Sequence, residues 1–255
     1  MSIIPSIQTA AEVALAKAFI QTTLKDTKHE NVIIAVSGGI DSATSLNLLH
    51  EALPKKNIFV VHLYYFEKSI QQFHEVIDPL KLPKQNVLLY SIKSAVDAVV
   101  SNLSAQQDPL RVGNIMARIR MIHLFDLAKK QNALVCGTEN RSEYHLGYFT
   151  RFGDAASDFE LINHLYKTQV RQLAKHLHVP LAVVDAEPTA GLWEGQTDEK
   201  ELGFSYEEAD QVLFLHFEKG MTANEIQEQG FENAMKILAI VKKNSFKHKV
   251  PYVMG

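Results

Sequence analysis

Four short apolar runs, separated by longer amphipathic stretches, constrain the fold of this chain more than any other feature of its sequence. Residues 31–36, 58–64, 87–92 and 133–136 have strand length and are rich in valine, isoleucine and leucine. Around them, residues 10–24, 42–53, 71–80 and 115–129 carry apolar side chains at helical spacing. A strand that reads as a continuous apolar run is buried on both faces, and helices alternating with such strands supply the two covers. The pattern predicts an α/β fold, a doubly wound parallel sheet flanked by helices. Residues 165–177, 206–217 and 232–242 keep the helical period, so the last third reads as helix and loop. With no linker and no repeat, residues 1–255 read as a single domain.

Composition excludes several classes of function. A formal charge of −3 offers no broad basic face for a nucleic-acid backbone. No apolar run approaches the roughly 18 residues of a membrane span, and the first twenty residues lack a basic start followed by an apolar core. The expected location is the cytoplasm, with neither nucleic acid nor membrane as partner. Cys136 is the only cysteine and cannot form an internal disulfide. It falls inside an apolar strand, where a buried structural thiol is the expected role. The histidines form no metal-ligand spacing; His176 and His178 lie two apart on the expected helix and point in different directions.

The turn after the first strand carries chemistry. Ser37-Gly38-Gly39-Ile40-Asp41-Ser42 joins that strand to a helical segment. There, backbone N–H groups can surround a phosphate at the positive end of the helix, and glycines let the backbone come close. A plain strand-to-helix turn with Asp41 as a cap uses the same residues. A carboxylate beside a phosphate is repulsive unless a divalent cation lies between them, so the functional reading calls for Mg²⁺ together with a nucleotide. The loop lacks the Gly-Lys-Ser/Thr of kinase and GTPase phosphate loops and the glycine pattern of hydride-transfer dinucleotide sites.

Ser37 to Ser42 instead resembles the pyrophosphate loop of the ATP pyrophosphatase superfamily. Four further segments are similar to those of ammonia-dependent NAD⁺ synthetases: Gly113-Asn114-Ile115-Met116-Ala117-Arg118-Ile119-Arg120-Met121, Gly137-Thr138-Glu139-Asn140-Arg141-Ser142-Glu143, Gly147-Tyr148-Phe149-Thr150-Arg151-Phe152-Gly153-Asp154 and Leu165-Tyr166-Lys167-Thr168-Gln169-Val170. Residues 188–206 are similar as well, so the likeness runs from about residue 31 to residue 251. It implies a Rossmann-like fold of the adenine nucleotide α-hydrolase type. It also implies ATP contacts from Ala35, Val36, Ser37, Gly38, Gly39, Ile40, Asp41, Ser42, Thr138, Lys167 and Thr189. Asp41 and Glu143 would hold Mg²⁺, and Asp41 and Lys167 would be catalytic. Arg118, Arg151, Asp158 and Lys247 would contact deamido-NAD. On the residues alone, Glu143 reads by default as a solvated helix residue, Lys167 as a surface charge, and Arg118 and Arg120 as basic residues of an exposed face. The sequence departs from the family pattern at Ala155-Ala156, where two glycines are usual, at Arg151, where lysine is frequent, and at Phe246, which takes a histidine's place beside Lys247.

The implied reaction converts the carboxylate of deamido-NAD into an amide, using ATP and ammonia and releasing AMP and pyrophosphate. Glutamine-using relatives carry a large glutaminase domain for which 255 residues leave no room, so ammonia is the expected nitrogen donor. The family likeness also implies a homodimer. The rival readings are another ATP pyrophosphatase, such as a GMP-synthetase-like amidating domain or a tRNA sulfur-transfer enzyme, and a non-catalytic ATP-binding sensor. Sulfur transfer calls for more reactive cysteine chemistry than one strand cysteine offers. A sensor needs the loop but neither Glu143 nor Arg118. Residues 188–198 hold turn formers without a period, together with Trp193, the only tryptophan. A loop of that length is expected to be a lid, mobile until nucleotide binds.

Overall fold

A computed structural model of the chain describes residues 3–193 and 195–254. Its elements are α1 (Thr9–Thr27), β1 (Asn31–Ala35), α2 (Ile40–Ala52), β2 (Ile58–Tyr64), α3 (Ser69–Ile77), β3 (Val87–Ser91), α4 (Lys93–Asn102), α5 (Pro109–Gln131), β4 (Ala133–Gly137), α6 (Arg141–Leu146) and β5 (Phe159–Glu160). They continue as α7 (Lys167–His176), α8 (Leu181–Val184), α9 (Asp198–Leu202), α10 (Tyr206–Phe217), α11 (Ala223–Glu228) and α12 (Ala234–Asn244). The strands form one sheet in the order β3-β2-β1-β4-β5, and every pairing is parallel. The doubly wound parallel sheet read from the sequence is the observed architecture.

Alternation along the central strands divides the core in two. Val32 and Ile34 of β1, Ile58 and Val60 of β2, and Leu134 and Cys136 of β4 pack in one cluster with residues of α1, α2, α3 and α7. Ile33, Val61, Leu63, Ala133 and Val135 point the other way, into a second cluster with α4 and α5. Each fully buried valine, leucine or isoleucine contributes roughly 1.5–3 kcal/mol, so a strand covered on both sides gains from every residue. A third cluster joins Leu146, Tyr166, Leu202, Phe204 and Tyr206 to residues of α10, α11 and α12. This helical layer lies beyond the sheet and underlies the segments that carry Glu143 and Lys167.

The topology selects one edge for ligands. After β3 the chain returns to the far side of β1 to lay down β4, so the strand order reverses between β1 and β4. In open parallel sheets the crevice at such a reversal, beyond the carboxyl ends of the strands, is the usual binding site. Ser37 to Ser42 follows β1, and Thr138 to Glu143 follows β4.

Several elements were not legible in advance. α5 begins at Pro109, six residues before the periodic stretch, because Asp108 accepts a hydrogen bond from the Arg111 N–H at 3.0 Å and proline suits the first helical position. The short elements α6, α8, α9, α11 and β5 are set by caps and packing rather than by periodicity. α7 ends at His176, and His178 lies past it in the left-handed region, so the two histidines do not share a helix. Described residues between 188 and 198 make several contacts. Asp198 N–H donates to the Pro188 carbonyl at 2.9 Å, Leu192 N–H donates to Gln196 at 2.8 Å, and Leu192 packs against Gly113. Among the described residues, no helix is long and apolar enough to cross a membrane.

Candidate active site

The loop after β1 is shaped by one glycine and two serines. Gly38 has φ of +97°, and a Cβ there would lie 2.7 Å from the Gln72 Cβ, so both conformation and space demand glycine. Ser42 Oγ donates to the Gly39 carbonyl at 3.0 Å, while Ser37 Oγ accepts from the Gly39 N–H at 3.2 Å. No side chain caps α2, which leaves its leading amides available to an anion. Asp41 stands in this first turn.

On the opposite side of the crevice, Asn140 caps α6. Its side-chain oxygen accepts the Glu143 N–H at 3.0 Å, and the Glu143 carboxylate reaches back to the Asn140 N–H. The Asn140 amide donates to Asp41 Oδ1 at 2.9 Å and so ties the two edges together. Lys167, the first residue of α7, places its Nζ 2.5 Å from Asp41 Oδ2 and 3.0 Å from Glu143 Oε1. Its side chain is 3% exposed, and each carboxylate is 17% exposed. Burial weighs against the lysine's charge, but Asp41 and then Glu143 outweigh it and raise the ammonium above its ordinary range. Burial pushes the Glu143 carboxyl up, and Lys167 opposes that shift.

Asp41, Glu143 and Lys167, three of the residues singled out in the sequence, therefore meet at the switch point. Asp41 and Glu143 offer hard oxygen donors to one cationic position, the donor type that Mg²⁺ takes. Among the described residues, no group of three or more His, Cys, Asp or Glu is placed to hold a metal alone. Two carboxylates would leave the rest of an octahedron to phosphate oxygens and water, which is how Mg²⁺ is commonly held beside nucleotides. The donor set fits.

A second region lies along α5 and the segment after α6. Arg118 is exposed on α5 and donates to the Arg151 carbonyl at 3.3 Å. Arg120, its neighbour by two, turns away and donates to the Leu63 carbonyl at 3.0 Å, so the two arginines do not act as a pair. The Arg151 guanidinium lies 5.5 Å from the Phe152 ring and 5.3 Å from the Phe246 ring. Phe246 thus holds Arg151. Lys247 donates to the carbonyls of Gly147 at 2.6 Å and Phe149 at 2.8 Å. Asp158 accepts the Val135 N–H at 2.7 Å and returns its own N–H to the Val135 carbonyl, extending the sheet edge ahead of β5. Thr138 directly follows β4, and the exposed Thr189 accepts the Gly191 N–H at 3.0 Å. Among the candidates, only Asp41, Glu143 and Lys167 contact one another in the ionic cluster.

The family model described as NAD synthase matches residues 12–251. The chain belongs to this family. It is 37% identical over 240 residues to the NH3-dependent NAD⁺ synthetase of Fusobacterium nucleatum, covering 92% of each chain. Among solved structures, it is similar to an NMN synthetase from Francisella tularensis, with a TM-score of 0.83, 29% identity, and coverage of 98% of this chain and 100% of that one. It is also similar to an NH3-dependent NAD synthetase from Campylobacter jejuni, with a TM-score of 0.81, 26% identity and the same coverage.

The NAD synthase fold brings residues to the site that sequence reasoning missed. Asn140 was accessible in principle, since Asn140-Arg141-Ser142-Glu143 has the spacing of a capping box. Asp198 was not. It is buried, and it accepts from the Tyr206 hydroxyl at 3.2 Å, the Tyr148 hydroxyl at 3.3 Å and the Ala190 N–H at 3.1 Å. The Tyr206 ring in turn lies 5.1 Å from Lys167 Nζ. Glu139 and Glu160 add two half-buried acidic residues beside β4, joined where the Glu139 N–H donates to the Glu160 carboxylate at 3.1 Å.

Proposed function

We propose that the chain amidates deamido-NAD with ammonia to give NAD⁺, consuming ATP and Mg²⁺ and releasing AMP and pyrophosphate. The observation that carries this reading is the ammonium of Lys167 between Asp41 and Glu143, at the reversal point of the sheet and beside an uncapped helix start. Family membership supports the same activity. A carboxylate oxygen of the nicotinate ring attacks the α-phosphorus of ATP, and pyrophosphate leaves. Ammonia then adds to the adenylated carbonyl, AMP leaves with the bonding electron pair, and one proton goes to solvent. No protein nucleophile is required, and the buried Cys136 is not one.

In this reading Ala35 to Ser42, Thr138 and Thr189 line the ATP, and the loop amides and Lys167 bind its phosphates. Asp41 and Glu143 would hold Mg²⁺, which would neutralise phosphate charge as the α-phosphorus is attacked. Lys167 then has two tasks. It balances the carboxylates before nucleotide arrives and turns to the phosphates afterwards. Fixed positive groups that meet developing charge without reorganisation are the main source of rate in phosphoryl-group chemistry. Arg118, Arg151, Asp158 and Lys247 are assigned to deamido-NAD, with guanidinium forks suited to its pyrophosphate. Residues 1–255 act as one domain, in the cytoplasm and as a homodimer.

Similarity to a protein described as an NMN synthetase favours a second reading, in which the substrate is the nicotinate mononucleotide. One assay separates them. Purified protein is given ATP, Mg²⁺, either ammonium or glutamine, and either deamido-NAD or nicotinate mononucleotide; amide product, AMP and pyrophosphate are then quantified. The expected result is NAD⁺ from ammonium with equal yields of AMP and pyrophosphate. Amidation of the mononucleotide in preference to deamido-NAD would replace the first reading with the second, and no amide from either would overturn both.

A further inference from the structure

Asp210, on α10, is 0% exposed and lies outside every set of residues assigned so far. Both of its oxygens are used. Oδ1 accepts the hydroxyl of Ser142, and Oδ2 accepts the Thr168 N–H at 2.8 Å. Ser142 has one proton, which goes to Asp210, and its oxygen accepts the Lys167 N–H at 2.8 Å. Ser142 is itself 0% exposed and immediately precedes Glu143 on α6.

The start of α7 is thus capped from outside. Its preceding residue, Tyr166, makes no side-chain cap, and the N–H groups of Lys167 and Thr168 are taken by side chains from α6 and α10. A carboxylate at this position also meets the positive end of the helix dipole, where Lys167 places a cation that the dipole disfavours. The same two side chains fix α6 relative to α7, and therefore Glu143 relative to Lys167. α10 is anchored in the third apolar cluster through Ala209, Val212 and Leu213. The Lys167 ammonium reaches its two carboxylates from a backbone held by Ser142 and Asp210, and displacement of about 1 Å at such a site can cost on the order of 100-fold in rate.

We propose that Asp210 is a positioning residue for the nucleotide site, acting through Ser142 and the Thr168 amide to hold Lys167 and Glu143 where they face Asp41 and the ATP phosphates. The proposal rests on the assignment of Lys167 to ATP made above. Asparagine at position 210 can still accept the Thr168 N–H and donate to Ser142, but it cannot accept the Ser142 proton. Alanine leaves both the serine proton and the amide without a partner.

The test uses Asp210→Asn, Asp210→Ala, Ser142→Ala, Lys167→Ala and the double variant Asp210→Ala/Lys167→Ala. For each, melting temperature, affinity for a non-hydrolysable ATP analogue with Mg²⁺, and kcat and KM for amidation are measured. Expected is a fall of about 100-fold in kcat for Asp210→Ala and about tenfold for Asp210→Asn, with KM for deamido-NAD nearly unchanged. In the Lys167→Ala background the Asp210 change should add less than about threefold, because the group being positioned is gone. A purely structural role predicts losses that multiply in the double variant, or a folded Asp210→Ala protein with wild-type kcat and analogue affinity; either overturns the proposal. If Asp210→Ala does not fold, Ser142→Ala and Asp210→Asn carry the same comparison. The analogue affinities are read independently of turnover. A wild-type chain that binds the analogue but makes no amide would count against the reaction assigned above, while the coupling of Asp210 to Lys167 is still decided by binding.

Discussion

The two halves of the candidate site are built differently. In the phosphate half, Asp41, Glu143 and Lys167 come from three separate elements, with the lysine buried and paired to two half-buried carboxylates. In the half proposed to take the dinucleotide, Arg118 is exposed, and Arg118 and Lys247 donate to backbone carbonyls while Asp158 binds a strand amide. The first half is held by charges that balance one another. The second is a set of side chains that hold loops together and, on the proposed assignment to deamido-NAD, would exchange some of those bonds for substrate. Removing a member of the first half should therefore affect chemistry, and removing a member of the second should affect binding.

The largest expected effect tests the first half directly. Asp41→Asn, Glu143→Gln and Lys167→Met should each lower kcat by about 1,000-fold while circular dichroism remains native. Lys167→Met should also cost roughly 3 kcal/mol of stability, because it leaves two half-buried carboxylates facing each other without a cation. Near-normal pyrophosphate release by any of the three would remove that residue from the chemistry.

Metal binding gives the next effect. The Lys167 ammonium occupies the position between the carboxylates. Free Mn²⁺, followed by its electron paramagnetic resonance, should bind the wild-type chain weakly alone and at least tenfold more tightly with ATP, which draws the lysine to its phosphates. Lys167→Met should bind Mn²⁺ without ATP. Equal affinity for Mn²⁺ with and without ATP in the wild type would mean that the lysine does not compete for the site. Removal of metal by a chelator should abolish turnover.

A smaller effect is expected in the dinucleotide half. Arg118→Ala should raise KM for deamido-NAD about tenfold, with little change in ATP affinity or kcat, since one exposed charge-assisted contact is lost. Titration calorimetry with each ligand separates the two. Equal losses for both ligands would place Arg118 in a structural role, consistent with its bond to the Arg151 carbonyl, and would erase the contrast between the halves.

The smallest effect concerns Glu160, beside the site. Burial pushes its carboxyl up to about 7 from an ordinary 4.5, against hydrogen bonds from Ser157 and the Glu139 amide. The fold favours the protonated form. This contribution is complete below about pH 4.5 and is lost as pH rises through 7. Glu160→Gln should therefore raise the melting temperature by a few degrees at pH 8, corresponding to about 1 kcal/mol, and leave it unchanged at pH 4.5. The same gain at both pH values would assign the effect to packing instead.

The strands and long helices were legible because each is a local pattern. The runs at 31–36, 58–64 and 87–92 match β1, β2 and β3 within a residue, since a short apolar run bounded by turn formers has few other uses in a globular fold. The short elements were not legible. β5 has two residues and exists through its parallel pairing with Cys136 and Gly137. α6 depends on the Asn140 cap, whose spacing to Glu143 the sequence analysis did not use. Around the expected lid at 188–198, of which Glu194 lies outside the described residues, the contacts of Asp198 with Ala190, of Gln196 with Leu192 and of Leu192 with Gly113 were not legible, because they depend on side chains without a period. Asp41, Glu143 and Lys167 were found through family motifs, whereas their mutual contacts span sequence separations of 24 and 126 residues.

The sequence by itself determined the alternation of strand and helix, the glycine turn after β1 and the residue types able to meet a nucleotide. Those features depend on neighbours a few residues apart, through side-chain period, backbone freedom and capping. Only the tertiary structure decided that β4 lies beside β1, that Lys167 stands between Asp41 and Glu143, and that Ser142 and Asp210 cap α7 from two other helices. A buried charge is tolerated only where its partners converge on it, and which distant segments supply those partners is set by how the helices and the sheet pack together.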